Sequence, residues 1–196
     1  MKKNLWILLI IVAVIVVIFS FFGGKYNAMV DKSTTAEKAW ANVETQYQRR
    51  ADLIPNFVNT VKGYAEHEKS VLEGVVQARA QATQTKISFD DINDGTLAKY
   101  QQSQGEISQA LGRLLAITEN YPDLKANQNF AALQDELAGT ENRIAVARKD
   151  FNEAITDYNV YVKKFPNNII AGMFSFTPKA MFASEAGAEK APQVQF

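Results

Sequence analysis

The chain has 196 residues, and its 21 basic and 21 acidic side chains leave no net charge to draw it to nucleic acid or to a polycation. It has no cysteine, which excludes disulfides, thiolate metal sites and a cysteine nucleophile. Aromatic content of 11% and charged content of 21% describe a folded chain, long enough for one domain with a substantial core.

The N-terminus is short and positive, Met1-Lys2-Lys3-Asn4, and an apolar run follows from Leu5 to Phe19 and on through Ser20-Phe21-Phe22. As a helix, Leu5 to Phe22 spans about 27 Å, close to the hydrocarbon thickness of a bilayer. The run is longer than a signal-peptide core, and Phe-Phe-Gly-Gly-Lys-Tyr offers no small-x-small cleavage site, so residues 1–24 read as an uncleaved transmembrane anchor. Trp6 fits an interfacial belt. Lys2, Lys3 and the α-amine, set against Lys25, Lys32 and Asp31, favour a cytoplasmic N-terminus and an exported domain.

Gly23-Gly24 is expected to loosen the join between anchor and domain. From Met29 the apolar positions Ala36, Trp40, Val43, Tyr47, Ala51 and Ile54 follow mostly at steps of three or four, one face of a helix. Pro55 predicts a break, so Asp52-Leu53-Ile54-Pro55 reads as a tight helix–helix connection, with a Pro-kinked single helix as the alternative. A second helix is predicted from Pro55 to about Thr83. Glu68 falls in its apolar seam, and a hairpin about Leu53-Ile54 would bring the Trp40 indole level with it as a donor. On this reading Arg49, Arg50, Asp52, Asn56, His67 and Glu68 form a polar cluster that fixes the hairpin.

Lys86 to Gly95 is rich in Asp, Asn, Ser and Gly and reads as a loop, with Asp94 or Thr96 as the cap of a third helix. That helix carries Leu97, Tyr100, Ile107, Leu111, Leu114 and Ile117 and is expected to end at Pro122. A fourth, from about Asn129 to Lys164, carries Phe130, Leu137, Ile144, Phe151, Ile155, Tyr158 and Val162 and stops at Phe165-Pro166. The predicted fold is all-α: an N-terminal transmembrane helix, a long antiparallel up-down-up-down four-helix bundle over 25–166, and an apolar C-terminal tail over 167–196. The tail is too apolar for an idle end. Either its first part covers the bundle's own end, or Phe174, Phe176, Phe182, Val194 and Phe196 dock on a neighbouring subunit.

No constellation for catalysis emerges. His67-Glu68 starts like a zinc-protease motif, but the second histidine is missing and His67 is the only histidine in the chain. Glu66, His67 and Glu68 are consecutive and unmatched elsewhere, unlike the paired Glu-x-x-His helices of di-iron bundles. There is no phosphate-cradling glycine loop. Arg49, Arg50, Arg143 and Arg148 read either as an anion or lipid-phosphate site or as partners for Glu141, Asp52 or Glu68 within the bundle. No cofactor and no metal ligand set is predicted.

Two long stretches carry a resemblance. YNAMVDKSTTAEKAWANVETQYQRRADLIPNFVNTVKGYAEHE and YPDLKANQNFAALQDELAGTENRIAVARKDFNEAITDYNVYVKKFP resemble the LemA family of bacterial membrane proteins, over about Tyr26 to Pro166. Phe57 stands where that family often has Leu. The resemblance implies a membrane-anchored helical bundle with no established enzymatic activity. The expectation is a single-pass scaffold or assembly protein of the bacterial cytoplasmic membrane, not an enzyme, with the lipid bilayer and further copies of itself as partners. An adaptor that recruits one other envelope protein is the alternative.

Overall fold

The computed structural model describes residues 2–65 and 67–183. Its elements are α1 (Lys2–Lys62), α2 (Lys69–Gln84), α3 (Asp94–Thr118), α4 (Pro122–Lys125), α5 (Gln128–Lys163) and α6 (Asn167–Met173). No strand occurs among the described residues.

Helix α1 is 61 residues long and replaces the tight connection expected at Asp52-Leu53-Ile54-Pro55 with the single-helix alternative. It passes through Gly23-Gly24 without a break, so the apolar run and the bundle share one helix. It also passes through Pro55, and the connection comes later, after Lys62, where α2 begins at Lys69. A proline in a helix leaves the carbonyl four residues earlier without its amide partner. Here that carbonyl belongs to Ala51, and Arg79 of α2 donates to it through Nε at 2.7 Å. Helix α2 therefore replaces the bond that Pro55 removes.

Helix α1 packs most extensively on α5, and the two run antiparallel. Phe57 meets Phe130, Arg50 bonds Glu141, Trp40 meets Phe151, and Met29 lies beside Tyr158 and Val162. Helix α2 turns back along α1, and α3 pairs with α2. Helix α3 begins near the level of Trp40, whose ring lies 5.3 Å from that of Tyr100, and it climbs past Arg50 at Gln104. Asn93 caps α3, accepting from the amides of Gly95 and Thr96, while the Thr96 hydroxyl accepts from the Asn93 amide. The cap thus sits one residue before the expected Asp94, with Thr96 as its reciprocal partner.

Helices α2 and α3 flank only the part of the α1–α5 pair farther from the apolar segment. Around Ile54, Phe57 and Val61 they complete one core cluster with Leu111, Leu114 and Phe130. Nearer the apolar segment the chain's own C-terminal part takes their place. Helix α6 seals Met29, Tyr158 and Val162 with Ile170 and Ala171. An extended strap, residues 174–183, then climbs back and inserts Phe182 among Trp40, Tyr100 and Phe151. The start of the predicted tail is therefore a helix followed by a strap that belongs to the core. Burying one such aromatic is worth about 2–3 kcal/mol.

Candidate functional site

The strap lies along α5, and two asparagines hold it. Asn152 accepts from the Phe182 amide at 2.9 Å and donates to the Phe182 carbonyl at 3.0 Å. Asn159 makes the same pair of bonds to Lys179, both at 2.8 Å. The register follows from backbone geometry. Seven residues of α-helix rise about 10.5 Å, and three residues of extended chain cover about 10 Å. Asparagines seven apart on α5 thus meet strap residues three apart, with the strap running antiparallel to the helix. Tyr158 donates to the Thr177 carbonyl, and Gln101 and Arg148 donate to that of Ala183. The Lys179 ammonium is buried against the Phe89 ring and donates to the Asp90 carbonyl at 2.9 Å. Burial and the nearby Asp90 push the Tyr158 hydroxyl above its ordinary range.

A second polar feature crosses the bundle interior. Arg50 is 1% exposed. Its Nη1 donates to the Ser108 hydroxyl and to Glu141 at 2.9 Å, and its Nη2 donates to the Gln104 carbonyl and side-chain oxygens. The Tyr47 ring lies 5.1 Å from the guanidinium, while Nε has no partner. One side chain thereby ties α1 to both α3 and α5. Beside it, an open cleft of about 800 Å³ is lined by Glu44, Tyr47, Arg49, Asp52, Lys86 and Tyr100, among others. Burial pushes the Glu44 carboxyl up, and the Trp40 indole and Lys86 partly offset this. The indole N–H stabilises that carboxylate from nearby without closing a hydrogen bond of ordinary geometry. Burial, with Tyr47 and Glu44 alongside, raises the Tyr100 hydroxyl well above its ordinary range.

The residues expected to form one cluster at a hairpin are dispersed, because the turn lies past Lys62. Arg50 is buried. Arg49 pairs with Glu136 at 2.8 Å, an acceptor it shares with Arg143. Asp52 accepts from Gln48 on its own helix, and Asn56 is exposed. His67 is exposed at the turn. Glu68 is half-buried and far along the bundle from Trp40. It accepts from the Tyr121 hydroxyl at 3.0 Å, and this bond raises the Tyr121 pKa. The expected Trp40–Glu68 bond does not form, because Trp40 is enclosed by Tyr100, Phe151 and Phe182. Asn127 closes the same end of the bundle by donating to Tyr64 at 2.8 Å.

Of the tail residues singled out, Phe182 is buried, Phe176 is half-buried and Phe174 is exposed. Val194 and Phe196 lie outside the described residues. Sequence reasoning missed Arg79, Asn152 and Asn159. The last two had a faint signal, since asparagine is unfavourable inside a helix unless its amide finds work. No group of three or more His, Asp or Glu side chains is placed to hold a metal among the described residues.

A protein-family model described as the LemA family matches residues 39–196. Magnetosome protein MamQ 2 of Paramagnetospirillum magneticum is 28% identical over 171 residues, covering 78% of this chain and 62% of that protein. Magnetosome protein MamQ of Magnetospirillum gryphiswaldense is 27% identical over 169 residues, with the same coverage. Protein LemA of Metamycoplasma hominis is 26% identical over 185 residues, covering 94% of this chain and 80% of its own. The chain thus spans about three fifths of the MamQ proteins' length. None of these names states a reaction.

Proposed function

We propose that this chain, which belongs to the LemA family, is a non-catalytic scaffold of the bacterial envelope that is anchored by residues 1–24 and self-associates. One helix, Trp6–Lys62, is long and apolar enough to cross a membrane, and its apolar part is exposed. The observation that carries the scaffold reading is the continuity of α1 from that segment through the whole bundle. Residues 25–62 alone extend roughly 57 Å as helix. A bundle held on such a post offers long lateral faces to neighbouring copies, and tethering in a bilayer raises the effective concentration of those copies. The charge balance around the apolar run supports an exported domain over a cytoplasmic one. The MamQ proteins are longer, so their roles as whole proteins include sequence that this chain does not span.

The test is the mass of the full chain in mild detergent, by light scattering after size exclusion. A defined multimer is expected. A monomer at every concentration overturns self-association and leaves the adaptor reading. On that second reading the strap lifts from the Asn152–Asn159 clamp, whose main-chain bonds would accept a foreign extended backbone in its place. It predicts a foreign protein at fixed stoichiometry with the monomer.

A further inference from the structure

The base of the bundle carries an apolar surface that the anchoring of α1 does not by itself require. Helix α6 buries Asn167, Ile170 and Ala171, at steps of three and one, against α1 and α5. Its opposite face, with the turn before it, presents Phe165, Ile169 and Met173 at steps of four. These are 81%, 53% and 68% exposed, and Phe174 beside them is 51% exposed. Four large apolar side chains in one patch are unusual for a surface that faces only water.

The height of this patch is fixed by contacts to the apolar run. The Lys25 ammonium lies over the Phe21 ring at 5.6 Å and over the Tyr161 ring of α5 at 5.9 Å. The Tyr26 ring meets Phe174 at 4.8 Å and Phe176 at 5.6 Å. Tyr26 stands four residues past Phe22, only about 6 Å along the helix axis. The exposed face of α6 therefore lies at the level where the apolar run ends. Its charges agree with that depth. Lys163 and Lys164 immediately precede Phe165, Lys25 lies over the Tyr161 ring, and residues 1–30 and 163–176 contain no Asp or Glu.

We infer that the Phe165–Phe174 face is a second membrane contact: a foot that rests in the headgroup region of the bilayer crossed by α1, with its lysines on anionic lipid headgroups. Aromatic and long aliphatic side chains flanked by lysines suit this zone, where one end of the side chain is apolar and the other wet. Each lysine near an anionic surface adds attraction that falls off within a Debye length. Helix α6, set off from α5 at Pro166, packs on both α1 and α5 and so holds this face beside the apolar run. The inference rests on the anchoring of α1.

The cysteine-free chain permits a direct test. The full-length variants Phe165→Cys, Ile169→Cys, Met173→Cys, Val14→Cys and Val146→Cys are labelled with an environment-sensitive fluorophore. They are placed in nanodiscs of mixed phosphatidylglycerol and phosphatidylcholine. All five positions are exposed, so the labels do not displace the core. Labels at 165, 169 and 173 are expected to lose most of their emission to spin-labelled lipids of shallow depth and to resist iodide, while the Val146 label shows the reverse. Discs of phosphatidylcholine alone are expected to give markedly weaker lipid quenching at the three sites. Iodide access equal to that at Val146 overturns the foot. Protection from both quenchers also overturns it and points to a second copy over that face. Undiminished quenching in phosphatidylcholine overturns the role of the lysines. A Val14 label that escapes the lipid quencher overturns the anchoring itself, and the foot with it.

Discussion

Arg50 shows how one residue can be singled out from sequence without its role being visible there. Two adjacent arginines beside an aspartate mark a polar spot on an apolar stripe, but the partners of Arg50 lie 54, 58 and 91 residues away. Only the packing of α3 and α5 brings them together. Its planar fork serves four acceptors, which an ammonium cannot do from one position. Arg50→Lys and Arg50→Ala are both expected to destabilise the domain, the alanine by about 3 kcal/mol through lost packing and the unpaired Gln104 oxygens. Urea unfolding followed by circular dichroism reads the difference. Glu44 makes a prediction of opposite sign. Its folded pKa lies above the ordinary 4.5, so folding favours its protonated form. The stability it contributes is complete below 4.5 and is lost as pH rises through the raised value. Glu44→Gln should remove that loss, giving a variant more stable than the parent at neutral pH and a flatter stability profile just above the carboxylate range. Melting temperatures across pH 4 to 7 check it.

At the scale of elements, the helical stripes were legible because period 3.6 is a local signal, and the strongest break signal misled for the same reason. Pro55 has the local character of a stop, but its consequence depends on whether another group reaches the Ala51 carbonyl. Arg79, 28 residues on, does so. A double-mutant cycle follows. Arg79→Ala is expected to cost about 1–2 kcal/mol in the parent and less in Pro55→Ala, where the new amide bonds Ala51 itself. Equal costs in both backgrounds would show that Arg79 acts elsewhere. The strap was hidden for a different reason. Residues 174–183 have no period of their own, and the groove that orders them is assembled from helices far earlier in the chain. Lys179, buried in that groove, reports on strap release. Trypsin should cut after Lys179 only when the strap lifts, so Asn152→Ala and Asn159→Ala should each accelerate cleavage several-fold, and together more than either. Intact-mass measurement during limited digestion follows this directly.

For the molecule as a whole, the continuity of α1 at Gly23-Gly24 joins the apolar run directly to the bundle. A methyl group added at either glycine meets nothing within 4 Å. Gly23→Ala and Gly24→Ala should therefore strengthen the helix there by about 1 kcal/mol each without disturbing packing. Slower amide exchange over residues 20–28 with unchanged melting of the domain is the expected result. Exchange that does not slow would show a junction already rigid. With α1 anchored as proposed, the same continuity gives the protein the mechanics of a mast stepped through a deck. Bilayers of different thickness tilt a spanning helix to different degrees. A continuous helix carries such a tilt toward the far end of the bundle, where a lean of only 10° corresponds to a sideways displacement of the Tyr64–Asn127 closure by about 10 Å over roughly 57 Å of helix. On the proposed anchoring, the far end of the bundle is expected to shift with the thickness of the bilayer at its base.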